Sequence, residues 1–374
     1  MLSVHVFGGR IGESIVIELP NGEWGVVDNY TPNLNEPESS PTIRFLNEAH
    51  VQRLKFLCIT HPHRDHYRGC SYILDRYRPD HVWIFGATTH KVLVARVLRH
   101  LADSSNSQNP ETENADEIER IFDRIQEAHS DTNRIPRLDI RILQLQQPLL
   151  ELPTNPAIKF TALGASGGQA IAYQQSLEAC FTATNEFLRA RVPSINHNLI
   201  SGGILIEYGE SRIILGGDIE VEAWEETMRQ LPRRLQSNLV KVSHHGSRNG
   251  FCSDLWRTFS PARQCVAVVT PYTSQGLPSE VGLSEIGQNA ARIYSASLRA
   301  MIRDRFDSTA FRGVSAEAIA TLRAVFPTAR RSTVRMDGRC SFTLQGDGRL
   351  IAELHGDAGL FSAGTENLTS EASP

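Results

Sequence analysis

Three histidines and an aspartate stand within six positions of this chain, in the segment ITHPHRDHYRG at residues 59–69. The four residues are His61, His63, Asp65 and His66. Imidazole nitrogens and carboxylate oxygens are the ligands that hold borderline divalent cations such as zinc. Without a cation, such a cluster would leave several buried polar groups without partners, at a cost of roughly 1–3 kcal/mol for each group. The segment therefore predicts a metal site.

The spacing within this segment predicts two metal ions. In an extended loop, His61 and His63 point the same way because side chains alternate along extended backbone. A turn of the chain at Asp65 and His66 directs this second pair to a different point. Each pair would then supply ligands to its own ion.

Two later segments each end an apolar strand with residues of the same types. RIILGGDIE presents Asp218 after a pair of glycines, and LVKVSHHGS presents His244 and His245. The carboxylate of Asp218 is suited to bridging two ions and holding them roughly 3.5–4 Å apart, the separation that two-metal hydrolysis uses. Three strand ends that all carry His or Asp are hard to explain by packing alone.

The order H-x-H-x-D-H, GGD and HHGS resembles the metallo-β-lactamase superfamily. The segments THPHRDHYRG, NLISGGILIEYG, IILGGDIE and KVSHHGS look most like the hydrolase domain of ComEC-type DNA-uptake proteins and their soluble stand-alone relatives. The resemblance covers roughly residues 2–280 and does not extend to a transmembrane channel. It implies an α/β fold of the four-layer αββα sandwich type, with a dinuclear metal site in a groove at one edge of two packed sheets.

The resemblance also implies a role for each residue of the cluster. Ligands of the first metal would be His61 and His63, ligands of the second would be Asp65 and His66, and the bridging carboxylate would be Asp218. The last metal ligand would be His244, and His245 would face the substrate or support the ligands, although the two adjacent histidines could exchange these roles. The implied catalytic residues are Asp65, Asp218 and His245. The implied cofactors are two divalent ions, for which zinc is the favoured metal and manganese the alternative.

One feature departs from the superfamily pattern. Its members usually offer a third histidine for the first metal after the strand that here reads IKFTALGAS, where this chain has Gly164, Ala165 and Ser166. The first metal therefore lacks a ligand and its site is expected to be open. His197 could supply the missing nitrogen, but a histidine in a polar loop is more often a solvent-exposed residue.

Three further polar residues are candidates for contact with a substrate. Asn198 and Ser201 match an N-x-x-S element that precedes the GGD strand in ComEC-like domains, and Ser247 follows the HHG triplet. Asn198 and Ser201 would hydrogen-bond the groove loop or a phosphate oxygen, and Ser247 would donate from its hydroxyl or backbone N–H to an anion. Ordinary turn and strand-start chemistry explains these residues equally well.

The periodicity of the chain places these motifs on elements. It predicts strands at residues 2–7, 13–19, 53–60 and 81–86, helices at 42–51 and 68–77, and later strands in IKFTAL, GGILIEYG, SRIILGGD, LVKVSHHGS and CVAVVTP. It also predicts a last hairpin, CSFTLQGDGRLIAEL, that turns on Asp347-Gly348. We divide the chain into a hydrolase domain at 1–290, an arginine-rich portion at 291–362 that completes or flanks the fold, and a disordered tail at 363–374.

Charge is unevenly distributed between two stretches. An acidic helical insertion at about residues 101–150 is expected to be a solvated surface helix without chemistry. Residues 291–340 hold ten arginines, which would flank the groove and contact phosphates or would simply face solvent.

Composition sets limits on the class of protein. The chain has 374 residues and a formal net charge of −4, which argues against a uniformly basic nucleic-acid coat. No run of about 18 apolar residues and no leader-like start is present, so we expect a cytoplasmic protein without membrane contact. The six cysteines are scattered without a C-x-x-C pair, which argues against a thiolate zinc site or a disulfide framework.

These observations favour a metal-dependent hydrolase. Two metals that share a carboxylate suit phosphodiesters best, so the expected activity is that of a phosphodiesterase or nuclease acting on nucleic acid or a nucleotide. An acyl hydrolase of lactones, lactams or thioesters is the first alternative. The second is a non-catalytic module that binds one metal ion or none.

Overall fold

A computed structural model describes residues 1–8, 11–86, 110–182, 195–231, 234–297 and 338–361. Within these residues, sixteen strands form two sheets of eight strands each. The first sheet has the strand order β15-β14-β1-β2-β3-β4-β5-β6. Its strands are β1 (Leu2–Gly8), β2 (Glu13–Glu18), β3 (Trp24–Val27), β4 (Phe56–Ile59), β5 (His81–Ile84), β6 (Asp139–Ile142), β14 (Gly338–Leu344) and β15 (Leu350–Gly356).

The second sheet has the order β16-β13-β12-β11-β10-β9-β8-β7. Its strands are β7 (Pro148–Leu152), β8 (Ile158–Gly164), β9 (Gly202–Tyr208), β10 (Ser211–Leu215), β11 (Leu239–Lys241), β12 (Val266–Val269), β13 (Arg292–Ser295) and β16 (Gly359–Phe361). Each sheet combines an antiparallel part with a parallel part, which is β3 to β6 in the first sheet and β10 to β13 in the second. The carboxyl ends of the parallel strands within each sheet therefore lie at one edge of that sheet.

Apolar side chains fill the space between the sheets. Phe56 of β4 stacks on Trp83 of β5 with ring centroids 4.1 Å apart, and Phe160 of the opposite sheet contacts both rings. Strand β4 is apolar at every position because both of its faces are buried: Phe56 and Cys58 face the second sheet, whereas Leu57 and Ile59 face the helices outside.

Helices cover the outer face of each sheet. In chain order they are α1 (Pro41–Glu48), α2 (Arg64–Tyr67), α3 (Cys70–Tyr77), α4 (Pro110–Ser130), α5 (Gly167–Thr182), α6 (Val221–Gln230), α7 (Ser253–Phe259) and α8 (Glu280–Asn289). Side chains of α1, α3, α4 and α5 pack on the first sheet, and those of α6, α7 and α8 pack on the second. The result is four layers, so the predicted αββα sandwich is confirmed.

The C-terminal strands belong to the same two sheets as the predicted hydrolase portion. Strand β14 pairs with β1 along its whole length, and β13 pairs with β12 and β16. The predicted hairpin is β14 and β15, with Gly348 in the left-handed conformation of its turn. Eight of the ten arginines of the basic stretch, together with the predicted tail at 363–374, lie outside the described residues.

The acidic insertion differs from its prediction. Residues 101–109 lie outside the described part, but α4 is not merely a solvated surface helix, because Ile118, Ile121 and Ile125 are buried against the first sheet. Glu117 is also buried and accepts hydrogen bonds from the backbone N–H groups of Gly69 and Ser71. Periodicity also missed the edge strands β6 and β7, which follow this helix. Among the described residues, no helix is both long and apolar enough to cross a bilayer.

Candidate metal centre

The sequence-predicted residues meet where the sheets open at one edge. Thr60 and His61 follow β4, Asp218 follows β10, and the histidine pair follows β11. Asp28, directly after β3, reaches the same place. Strand ends from both sheets thus converge on one cleft.

His61 and His63 form the first pair. His63 stands at the N-cap of α2 in extended conformation, and its Nδ1 lies 2.9 Å from Nε2 of the buried His61. Burial, reinforced by the neighbouring His66, lowers the pKa of His61 well below its usual value, and burial also lowers the pKa of His63. Both imidazoles are therefore held neutral, the form that binds a metal ion.

Asp65 and His66 lie in α2 and form the second pair. His66 is fully buried, and its Nδ1 contacts an oxygen of Asp28 at 2.7 Å. Burial alone would lower the pKa of His66, but the charges of Asp218, Asp65 and Asp28 outweigh this effect and raise it to about 10. The point where these carboxylates meet thus favours a positive charge.

Asp218 stands between the two pairs. One carboxylate oxygen, Oδ2, lies 3.5 Å from Nε2 of His61, and the other, Oδ1, lies 3.4 Å from Nε2 of His66. Its backbone N–H donates to Oγ of Ser201 at 2.9 Å. Burial would raise the pKa of this carboxyl, but the charges of His66 and His61 keep it well below its usual value, so it is ionised.

The adjacent histidines point to different places because their backbone is unusual. His244 and His245 have φ angles of 48° and 52°, and Gly246 continues the left-handed run at 77°. His245 is buried and directs Nε2 to Oδ2 of Asp65 at 3.1 Å, in the second group. His244 is 17% exposed, and its Nε2 lies 3.9 Å from Oδ2 of Asp218, on the side of His61.

Unpaired atoms show that these residues fit a metal site. Nε2 of His66 and Oδ1 of Asp218 are both buried and have no hydrogen-bond partner. Ligand atoms of His61, His63 and Asp218 lie within 4.8 Å of one another, and so do those of a second group that contains His66, Asp218 and His245. Buried polar atoms without partners are rare in folded proteins, and a bound ion is one explanation for them.

The cleft above this cluster has a volume of about 420 Å³. His63, Asp218 and His244 line this cleft, and so do Arg64 and Tyr272. A hydrogen bond to Tyr272 helps to raise the pKa of the Arg64 guanidinium. A cationic side chain thus lines the same cleft as the metal-ligand candidates.

His197 lies at the cleft with its ring centroid 5.2 Å from that of His63. Its Nδ1 contacts the hydroxyl of Tyr173 at 2.8 Å, and burial together with His63 lowers its pKa to about 3. His197 is therefore a partly buried neutral imidazole and not the exposed loop residue that its polar surroundings suggest. Gly164 is the first of the three residues that occupy the place of the third histidine in the superfamily pattern. Its φ is 101°, and a Cβ there would come within 2.6 Å of the Ser201 carbonyl oxygen.

The three candidate substrate contacts have different surroundings. Asn198 donates from its side-chain amide to Glu220 at 3.1 Å and lies 3.4 Å from Nε2 of His244. Ser201 is buried and holds the backbone of Asp218. Ser247 is also buried and caps the turn at residues 248–250 by accepting from Gly250 N–H. Ser201 and Ser247 thus have structural partners, and the side chain of Asn198 lies beside the imidazole of His244.

Sequence reasoning missed four residues behind the cluster: Glu13, Asp28, Lys241 and Thr270. Asp28 accepts from the backbone and hydroxyl of Thr60 and contacts His66. Thr270 presents its carbonyl oxygen to Nδ1 of His245 at 2.9 Å. The signal for Glu13 and Lys241 was a charged residue at the end of a strand with a buried apolar run, since such residues are rarely buried without a partner.

No protein-family model matches the chain, and no curated protein matches it significantly. Similar solved structures include zinc-bound PqqB from Methylobacterium extorquens, at 10% identity over 65% of this chain and 72% of that chain, with a TM-score of 0.33. They also include MEM-A1, a subclass B3 metallo-β-lactamase from a soil metagenome library, at 13% identity over 68% and 79%, with a TM-score of 0.33. Unliganded yeast PDE1 is similar at 11% identity over 72% and 88%, with a TM-score of 0.36. The narrower likeness to ComEC-type hydrolase domains rests on the sequence motifs.

Proposed function

We propose that this protein is a metal-dependent hydrolase that cleaves phosphodiester bonds in nucleic acid or a nucleotide. One observation carries the proposal: the two oxygens of Asp218 face two different ligand groups, His61 on one side at 3.5 Å and His66 on the other at 3.4 Å. A carboxylate in this position is suited to bridging two divalent ions.

Each group would hold one ion. The first ion would be held by His61, His63 and Asp218, with the open side of this group next to His244. The second ion would be held by Asp65, His66, His245 and Asp218. This assignment exchanges the roles that the superfamily resemblance implied for the adjacent histidines, because His245 and not His244 lies beside Asp65.

When bound, two divalent ions supply a water of lowered pKa and stabilise negative charge on a phosphoryl oxygen. The protein's own residues orient these ligands. Asp28 fixes the ring of His66 through Nδ1, and the Thr270 carbonyl oxygen fixes that of His245 in the same way. Hydrogen bonds of this kind select the tautomer whose other nitrogen is free to bind a metal ion.

A cationic residue in the cleft lining favours an anionic substrate. Arg64 lines the cleft and hydrogen-bonds Tyr272, and planar guanidinium groups pair well with phosphate oxygens. A neutral lactone or lactam would gain less from this charge than an anionic phosphodiester, because it carries no charge in its ground state. The cationic lining therefore supports a phosphodiester over an acyl substrate.

The test is hydrolysis by purified protein loaded with zinc or with manganese. The substrates are linear, circular and single-stranded nucleic acids, a generic phosphodiester such as bis-p-nitrophenyl phosphate, and a panel of lactones, lactams and thioesters. The wild-type protein should cleave phosphodiesters, and Asp218→Ala should lose at least about 100-fold in rate because both ions lose their shared ligand. Glu225→Ala on the surface of α6 is the matched control and should retain full activity.

Three results would contradict the proposal. Equal activity in Asp218→Ala would show that the centre lies elsewhere. Hydrolysis confined to the ester panel would make the protein an acyl hydrolase. Binding of fewer than two equivalents of metal, with no hydrolysis of any substrate, would favour a non-catalytic binding module.

A further inference from the structure

Glu13, the first residue of β2, lies buried beneath the candidate metal centre. It is 1% exposed, and its partner Lys241 in β11 is 0% exposed. The ammonium of Lys241 donates to Oε2 of Glu13, and the hydroxyl of Thr270 donates to the same oxygen at 2.9 Å. Because β2 and β11 belong to opposite sheets, this ion pair joins the two sheets directly below the cleft.

The second oxygen of Glu13 has no partner. Lys241 and Thr270 both use Oε2, which leaves the buried Oε1 without a hydrogen bond. A carboxylate oxygen of Glu13 lies within 4.8 Å of ligand atoms of His66, Asp218 and His245. His66 and Asp218 each contribute an unpartnered buried atom as well, so three such atoms belong to one small group of residues.

We infer that Glu13 is a further ligand of the second metal ion, held in place by Lys241 and Thr270. The inference rests on the dinuclear site proposed above and adds a residue that the H-x-H-x-D-H, GGD and HHGS motifs do not contain. Bonding to a cation satisfies Oε1, Oδ1 of Asp218 and Nε2 of His66 together. Lys241 offsets the additional negative charge, which would otherwise be costly to bury.

The added carboxylate gives the two positions different chemistry. The first position is rich in imidazole, which suits zinc, whereas the second collects carboxylates from Asp65, Asp218 and Glu13, which suit manganese. The second position therefore prefers Mn²⁺ more strongly than the first does.

The test compares Glu13→Gln, Lys241→Met and the double variant that carries both changes. The double variant is needed because either single change leaves a buried charge without its partner, which destabilises the fold. Chelator-treated protein is titrated with Mn²⁺, monitored by electron paramagnetic resonance of free Mn²⁺, and with Zn²⁺ in competition with a chromophoric chelator. Thermal unfolding of the metal-free proteins is measured in parallel.

In the double variant, we expect affinity for the second equivalent of Mn²⁺ to fall about 10- to 100-fold, with a smaller loss for Zn²⁺ and no loss for the first equivalent. Lys241→Met leaves the buried carboxylate of Glu13 without its ammonium partner. A bound Mn²⁺ would compensate for the missing positive charge, so Mn²⁺ should raise the melting temperature of this variant more than that of the wild-type protein. Glu18→Gln, on the same strand but away from the cluster, is the matched control and should bind both metals like the wild-type protein.

A double variant that binds two equivalents of Mn²⁺ with wild-type affinity would reduce Glu13 to a structural partner of Lys241. If the double variant does not fold, anomalous diffraction from wild-type crystals soaked in Mn²⁺ decides the matter, because the inference requires a peak within bonding distance of the Glu13 carboxylate. These results are independent of the proposed activity. A wild-type protein that binds two ions through Glu13 but cleaves no phosphodiester would contradict the proposed function alone.

Discussion

Asp28 lies behind the cluster and contacts both the loop of the first histidine pair and the ring of His66. It is fully buried, accepts from the backbone N–H of Thr60 at 2.8 Å and from its hydroxyl at 2.7 Å, and contacts Nδ1 of His66 at 2.7 Å. Its own φ of 57° is left-handed, a conformation that Asp and Asn adopt more readily than most residues. Asp28 thus orders the loop that carries the first pair of histidines and orients His66 at the same time.

Substitution of Asp28 by Asn should weaken metal binding without disturbing the backbone. Asn tolerates the left-handed conformation but lacks the charge that holds His66, so we expect affinity for the second ion to fall about 10- to 100-fold. Equilibrium titration against a chromophoric chelator measures the change. Asp80→Asn, at a surface ion pair with Arg53, is the control, and equal losses in both variants would contradict a specific role for Asp28.

His5 gives a pH-dependent prediction away from the metal centre. Burial, followed by the nearby charges of Arg339 and His355, lowers its pKa to about 3 from a usual value of 6.5. A depressed histidine pKa means that protonation opposes folding. The contribution of neutral His5 to the free energy of unfolding is therefore fully present above pH 6.5 and is lost as the pH falls towards 3. Because His5 is only partly buried, we expect its share of the loss between pH 7 and pH 5 to be about 1–2 kcal/mol.

His5→Asn should remove this share of the acid sensitivity. Asn can retain the hydrogen bond that His5 Nδ1 makes with Ser341 at 2.9 Å, but it does not titrate. Urea unfolding of metal-free protein at pH 5, 6 and 7 gives the comparison. An unchanged dependence of the unfolding free energy on pH in the variant would show that His5 remains neutral for another reason.

At the scale of elements, the loop after β11 is the least predictable part of the site. The HHGS motif indicates which residue types are present, but adjacent side chains in extended backbone would point to opposite faces. Three successive left-handed residues instead turn both imidazoles into the cleft, at a cost of about 1–2 kcal/mol for each histidine. The sequence therefore predicted both histidines as site residues, whereas the different directions of their side chains needed the backbone angles.

Removing each histidine in turn should give different metal-binding defects. His245→Ala should lose the second equivalent of metal, because His245 lies beside Asp65 at 3.1 Å. His244→Ala should retain two equivalents but hold the first less tightly, because His244 lies at the open side of the first group. Cobalt(II) absorption spectra distinguish the two sites, and identical spectra for the two variants would contradict the separate roles.

The acidic helix α4 shows why element type and element role are predictable to different degrees. Its helical periodicity was evident from the sequence, but its role depends on Glu117, which caps the start of α3 and whose burial no local pattern reveals. Likewise, β6 and β7 are short edge strands of four and five residues, and segments of this length give weak periodicity. The ligand types and the strands that carry the motifs were predictable because each depends on nearby residues, whereas the four-layer architecture was implied by the resemblance of the motifs.

At the scale of the whole molecule, long-range pairing decides where the fold ends. The apolar pattern of β14 identifies a strand, but its place in the first sheet, between the edge strand β15 and β1, depends on pairing with β1, more than 300 residues earlier. Local sequence patterns near residue 290 carry no information on this pairing, so they do not show which strands beyond residue 290 join the first sheet. The described C-terminal strands complete both sheets, so we expect residues 1–297 alone to be an incomplete folding unit.

Truncation after residue 297 tests this expectation. The change removes Cys340, Phe342 and Leu344, each of which is fully buried between the sheets, and leaves β1 as an open sheet edge. Loss of one buried Phe costs about 3–5 kcal/mol, and a typical domain is stable by only about 5–15 kcal/mol. The truncated chain should therefore lack a cooperative thermal transition and bind hydrophobic dyes, whereas truncation after residue 361, which retains every described strand, should leave the melting temperature unchanged. A cooperative transition and two bound metal ions in the 1–297 chain would show that the N-terminal portion is a domain in its own right, with the arginine-rich portion only flanking it.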